Sequence, residues 1–187
     1  MGRRRRELSS HETHRVWRRT GTGASSSPRA RPAAPCCCSR GAVALIQARF
    51  PDLAAAARQL PQALVADGEL VVWDMGALSF EALQRRASAG RRDVPRLAES
   101  MPAHFIAFDV PQLDGRELFS RPCRERRALL EALFTEHSLA PPWALCPVSG
   151  DVEEAHPWMS TWTQVPGVEG VVAKGLEQRY EQGRRGW

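Results

Sequence analysis

Apolar and polar positions recur on two different periods along this chain, and the changes of period mark out its elements. Phe80, Leu83 and Ala87 fall at i, i+3 and i+7 behind Ser79, which predicts a helix N-capped by that hydroxyl. Pro122 to His137 has a proline at its start and Leu129, Leu130, Leu133 and Phe134 on one face, the pattern of a core-facing helix. His104 to Val110 alternates as a strand and runs into an Asp114-Gly115 turn. Glu69 to Trp73 is an apolar run of strand length after Asp67-Gly68, a second turn signal. Pro51 to Leu60 predicts a short alanine-rich helix, and Trp143 to Val148 a strand. Asp151 and Glu154 have the spacing of a capping box, so Asp151 to Thr163 predicts a helix, and Val168 to Lys174 predicts a last strand. Strands and helices mix without a βαβ repeat, which favours an α+β fold of largely antiparallel sheets with flanking helices.

The periodic text begins near Ala42. Residues 1–41 are rich in Arg, Ser, Pro and Gly, and such composition buries too little apolar surface to offset its ordering entropy, so they are expected to be a basic, disordered segment before a folded region over 42–187. Charge divides at nearly the same place. Of the net charge of +5, residues 1–49 hold +9 and residues 50–187 hold −4. The basic segment reads either as an arm touching nucleic-acid phosphates or, more simply, as a solvated tail. No apolar run is long enough to span a membrane, so no membrane partner is expected. Cys36, Cys37, Cys38, Cys123 and Cys146 form no CxxC pair, which argues against a zinc site and for a reducing cytoplasm. The histidines show no metal-ligand spacing.

Three acidic stretches lie at or beside expected strands: DGELVVWD (Asp67–Asp74), FIAFDVPQLDG (Phe105–Gly115) and VEGVVAKG (Val168–Gly175). Singly, each reads as a turn with a solvated acid. In this order, with LSFEALQRR (Leu78–Arg86) and RPCRERRALLEALF (Arg121–Phe134) between them, the set resembles the adenylation domain of bacterial ATP-dependent DNA ligases, from about Phe50 to Trp187. The resemblance implies an ATP-grasp-like nucleotidyltransferase fold. It implies ATP and Mg2+ as cofactors and nicked double-stranded DNA as partner. The product would be a sealed nick, made in DNA repair or recombination through enzyme-AMP and DNA-adenylate. It further implies a monomer in the bacterial cytoplasm, associated with the nucleoid.

By the same resemblance Glu69 would contact the ribose or help hold a metal, and Phe108 would stack on the adenine. Glu169 would hold the metal directly or through water. Lys174 would supply a supporting positive charge; an ammonium is a compact point charge suited to phosphate or carboxylate. If Val168 to Lys174 were a regular strand, Glu169 and Lys174 would face opposite ways.

Lys174 is also the only lysine among the 187 residues, alongside 25 arginines. The family's chemistry starts at a lysine in KxDG, which is absent here. Also absent is the lysine-bearing motif expected after a GW such as Gly186-Trp187. The sequence therefore reads as truncated at both ends and inactive as written. Shifting the codon frame of Arg19 to Arg40 turns the Ser25–Ser27 and Cys36–Cys38 triplets into apolar runs. It also lets Arg19 to Gly23 read Asp-Gly-Tyr-Arg, so the segment reads as frameshifted. Two other readings remain open: a non-catalytic nucleotide- or DNA-binding remnant, and an RNA ligase or capping-type nucleotidyltransferase.

Overall fold

In chain order the elements are β1 (His14–Arg19), β2 (Cys36–Arg40), β3 (Ala44–Leu45), α1 (Pro51–Ala56), β4 (Leu64–Asp74), β5 (Ala77–Leu78), α2 (Phe80–Ser88), α3 (Val94–Ser100), β6 (Ala103–Leu113), β7 (Arg116–Glu117), α4 (Cys123–Glu136), β8 (Trp143–Leu145) and α5 (Val152–Thr161). The computed structural model describes residues 14–19, 36–40, 44–45, 47–168 and 170–181, the first three stretches as backbone only. One sheet runs β3-β2-β1-β4-β6-β7, with β5 on β4 and β8 on β6. Every ladder in it is antiparallel except β6–β8. The α+β class with largely antiparallel pairing is thus as expected.

The central pair is β4–β6. Leu70 and Val72 of β4 and Phe105, Ala107 and Val110 of β6 point to the core. Leu130 and Leu133 of α4, Leu53 of α1 and Leu83 of α2 close over them. Trp143 of β8 meets Phe105 edge to face, with ring centroids 6.0 Å apart. Such a pair adds about 1 kcal/mol beyond the area it buries. The caps follow the sequence. Ser79 Oγ accepts from the Ala82 N–H at 3.1 Å, and Asp151 accepts from the Glu153 N–H at 2.9 Å. The expected box at α5 closes differently, because the Glu154 carboxylate accepts from Ser149 Oγ rather than from the Asp151 N–H.

Four expectations are corrected. Asp67-Gly68 is no turn; it lies inside β4, which starts five residues before Glu69. Glycine is needed there for closeness, since a Cβ on Gly68 would lie 2.5 Å from the Ile106 carbonyl oxygen and 2.6 Å from Phe105 Cζ. Secondly, residues 14–19 and 36–40 are strands, β1 pairing β4 from His14↔Glu69 to Arg19↔Leu64. A ladder uses backbone N–H and C=O groups, which any non-proline sequence supplies, so side-chain periodicity was a poor guide there. The rest of 1–41 lies outside the described residues.

Thirdly, the final strand expected over Val168 to Lys174 is not formed. The Val168 N–H closes a turn on the Val165 carbonyl, and residues 170–174 join no ladder. Gly167, at φ +88°, presses instead against Leu78 of β5. A strand needs a neighbour for its backbone groups, and none of the described strands lies alongside this one. Lastly, the buried face of α2 is Ala82, Leu83 and Arg86, while Phe80 is exposed.

Arg86 is buried because it ties three elements together. Its guanidinium donates to both carboxylate oxygens of Asp52, at 2.7 and 2.8 Å, and to the Met101 carbonyl at 2.7 Å. It also lies over the Phe50 ring, 4.8 Å from its centroid. Asp52 accepts in addition from the Ala103 N–H at 3.0 Å. Burial works to raise the Asp52 pKa, but the hydrogen bonds from Arg86 and Ala103 and the Arg86 charge together hold it below its ordinary value.

Two outcomes are expected. Gly68→Ala should lower stability by about 1–3 kcal/mol in urea unfolding, because backbone must move to admit the methyl group. Asp52→Ala should cost about 3 kcal/mol at neutral pH, since it leaves a buried guanidinium without its carboxylate. The acid dependence has a definite sign. The folded pKa lies below the unfolded value, so the Asp52 contribution is complete above that unfolded value and is lost as pH falls through the folded one. Unfolding curves of Asp52→Ala should therefore lose part of the parent's acid sensitivity in that range.

Candidate functional site

The face of β4–β6 turned away from the core carries the residues singled out by sequence. Glu69 pairs with Ile106 across the ladder. Glu69 and Ile106 therefore share that face, and Phe108 is the extra residue of the bulge between Gly68↔Ala107 and Asp67↔Asp109. Glu69 is exposed and Phe108 half-buried.

Lys174 comes to the same place from the far end of the chain. Its Nζ stands over the Phe108 ring, 4.5 Å from the centroid. That is cation–π distance, worth about 0.5–1 kcal/mol at an exposed site. Cys146 sits close by, its N–H donating to the Ala107 carbonyl at 2.8 Å. Burial pushes its thiol pKa up; the charges of Arg127 and Lys174 oppose the shift and that of Glu69 adds to it. Of the four residues expected at the site, Lys174 meets Phe108, and Glu69 lies across the ladder from Ile106, two residues before Phe108. Glu169 lies outside the described residues. Because residues 170–174 form no strand, the opposite-face argument for Glu169 and Lys174 does not apply.

Beneath this face lies a buried polar network. Asp67 and Asp109 are Cα partners across the bulged part of the β4–β6 ladder, and both are buried. Two carboxylates so placed need separate counter-groups. Arg126 of α4 grips Asp109 with two parallel bonds, Nε to Oδ1 and Nη2 to Oδ2, each 2.8 Å. Its remaining N–H groups reach the carbonyls of Arg121 and Gln178. Burial alone would lower the Arg126 pKa, but the Asp109 bonds and charge outweigh it and raise it. Tyr180 donates its hydroxyl to Asp67 Oδ2 at 2.8 Å, and its ring lies 5.5 Å from the Arg126 guanidinium. Burial first, then the Asp67 charge and hydrogen bond, push the phenol pKa far above its ordinary value. Tyr180 therefore stays a donor across the working pH range.

Sequence reasoning did not single out Arg126 or the buried Asp67. A signal for Arg126 was present: it occupies the same helical stripe as Leu130 and Leu133, four and seven residues on. An arginine on an apolar stripe calls for a buried acid. For Asp67 the Asp-Gly pair pointed the wrong way, toward a turn.

Among the described residues no three His, Cys, Asp or Glu side chains cluster as a ready metal site. A magnesium ion keeps most of its water and takes one or two carboxylates beside phosphate oxygens, so the exposed Glu69 suits it without such a cluster. No described helix is long and apolar enough to cross a membrane.

Comparison with known proteins bears on the same residues. The family model described as "ATP dependent DNA ligase domain" matches residues 37–187. DNA ligase C2 of Mycolicibacterium smegmatis is 39% identical over 137 residues, which cover 73% of this chain and 38% of that protein. DNA ligase C of Mycobacterium tuberculosis is 36% identical over 139 residues, covering 73% and 38%. Among solved structures, a mycobacterial DNA ligase D complexed with ATP and MES superposes with a TM-score of 0.65 at 30% identity, over 93% of this chain and 49% of that one. The ligase domain of M. tuberculosis LigD gives 0.64 at 29% identity, with the same coverage. The chain spans about two fifths of the length of these curated relatives. With the family model covering most of its length, the chain belongs to the ATP-dependent DNA ligase domain family.

Proposed function

We propose that these residues form the nucleotide-holding part of a ligase that seals nicked double-stranded DNA in bacterial DNA repair or recombination. On this reading ATP is the nucleotide and Mg2+ the metal, and the protein acts as a cytoplasmic monomer. The observation that carries the reading is Lys174 Nζ over the Phe108 ring, with Glu69 on the neighbouring strand across from Ile106. An aromatic ring offers a stacking platform for a flat base, worth about 1–3 kcal/mol per base. A lysine and a carboxylate beside it suit the phosphates and their magnesium. The relative solved with ATP supports the choice of nucleotide.

Each residue has a distinct task. Phe108 orients the base, Lys174 supplies positive charge at its edge, and Glu69 with Glu169 accepts the hydrated metal or the ribose. Magnesium, when bound, would neutralise charge on the transferring phosphoryl group. Attack on the α-phosphate needs a neutral amine. These 187 residues contain no KxDG, and Lys174 is their only lysine. We infer that a polypeptide of these 187 residues alone holds ATP without taking AMP onto a KxDG lysine.

The test is incubation with α-labelled ATP and magnesium, followed by a denaturing gel, beside calorimetric titration with ATP. No label should stay on the chain, while ATP should bind, and Phe108→Ala should weaken binding by about tenfold or more. Acid-labile label on the parent chain would sink the account of the nucleophile. Undiminished binding in Phe108→Ala would sink the stacking platform.

A further inference from the structure

We propose that Tyr180 and Arg126 are positioning residues for the nucleotide site, acting through Asp67 and Asp109 to hold Lys174 on the Phe108 ring. The inference rests on the nucleotide reading above and adds to it the means by which the site keeps its shape.

The two aspartates lie next to the residues that matter. Asp109 directly follows Phe108, and Asp67 precedes Glu69 by two. Arg126 fixes Asp109 from α4, and Tyr180 fixes Asp67 from the C-terminal segment. That segment is fastened at further points. The Tyr180 N–H donates to the Phe119 carbonyl at 3.0 Å, and the Phe119 and Tyr180 rings lie 5.6 Å apart. The Gln178 carbonyl accepts from Arg126 at 3.3 Å. The Leu176 carbonyl accepts from the Arg124 N–H at 3.0 Å, and Glu177 pairs with Arg124.

Lys174 is exposed, belongs to no ladder and meets the Phe108 ring. It is only two residues from the Leu176 anchor. Two residues of chain reach at most about 7 Å, so the anchored segment fixes where the Lys174 backbone lies, and from there its Nζ meets Phe108. The same network fixes the strand from which Phe108 projects. Ring and ammonium are thus held by one set of buried bonds, reached from opposite ends of the chain. Arg126 cannot lose its proton, and the half-buried Tyr180 hydroxyl donates to the buried Asp67, so this grip does not loosen near neutral pH.

The experiment is a double-mutant cycle on the full chain with ATP and magnesium, read by calorimetry well below the unfolding midpoint. Tyr180→Phe keeps the ring and removes the hydroxyl bond. It should weaken ATP binding by about five- to tenfold, the scale of one ordinary hydrogen bond. Lys174→Ala should weaken it by a similar factor. The double variant should bind no worse than the weaker single variant, because both changes remove the same contact. Asp67→Asn keeps an acceptor for the hydroxyl and should stay within roughly twofold of the parent.

A second readout needs no change in the buried network. Tyr180 is the only tyrosine in the sequence, so a tyrosine-labelled chain gives a single ring signal in NMR. The signal should move when ATP is added to the parent and stay still in Lys174→Ala. Losses that multiply in the double variant, or a ring signal indifferent to ATP in the parent, would overturn the positioning role and leave the nucleotide site standing. Absence of ATP binding in the parent, or binding untouched by Phe108→Ala, would remove the nucleotide reading and the inference with it.

Discussion

The bidentate bond between Arg126 and Asp109 is the constraint on which the functional face depends. Asp109 has its Cα partner in Asp67, another buried acid, at the point where the β4–β6 ladder is bulged. Without the guanidinium, two carboxylates would face each other in a medium that solvates neither. Removing one partner of such a buried pair costs about 3–5 kcal/mol. The alternative open to the chain would be to let the strand turn Asp109 outward. A one-residue slip in a strand exchanges its faces, and it would carry Phe108 into the core. The ion pair thus joins helix to sheet at the bulge beside Phe108.

A second arginine does comparable work at the other end of β6. Asp52 takes the Ala103 N–H and the Arg86 fork, and Arg86 continues to the Met101 carbonyl and the Phe50 ring. The strand is thereby held near both ends by arginine–aspartate pairs. Phe105, Ala107 and Val110 between them meet the apolar cluster. Packing alone specifies a face well and a longitudinal position poorly. Directional bonds at the two ends supply what the core leaves loose. Both arginines sit within helices that otherwise read as amphipathic, so each helix docks by its apolar stripe and is locked by one charge.

Much of this was legible in residue patterns. The Ser79 cap, the alternation of His104 to Val110, the Asp114-Gly115 turn and the apolar stripe of Pro122 to His137 all became structure, because each is decided by groups close in sequence. Resemblance, rather than periodicity, pointed to Glu69, Phe108 and Lys174, and three-dimensional proximity then joined them. The misreadings share one cause, in that partners distant in sequence decided the outcome. Asp67-Gly68 has turn chemistry, yet Tyr180, 113 residues away, takes the aspartate, and Phe105 and Ile106 need the glycine's missing side chain. Val168 to Lys174 has strand composition, yet no described neighbour completes a ladder. The strands at His14–Arg19 and Cys36–Arg40 lack any apolar rhythm, and each pairs with a strand whose sequence lies well apart from it.

The same geometry gives a reason for a solitary lysine in an arginine-rich chain. A guanidinium beside an aromatic ring tends to lie flat on it, covering the face that a planar base would use. An ammonium approaches as a point and keeps its hydration on the other sides. At 4.5 Å from the Phe108 centroid, Lys174 Nζ marks the ring's electron-rich face while remaining on a flexible four-carbon stem. A contact worth about 1 kcal/mol is weak enough for a stacking base to displace, since the base gains as much or more from the ring. The displaced charge would stay near, because the anchored Leu176–Tyr180 segment sets how far it can go. An arginine at the same position would hold the ring more tightly and yield it less readily. On the proposed reading, a charge kept beside the ring by an anchored segment is what a site needs to serve the phosphates of a stacked nucleotide.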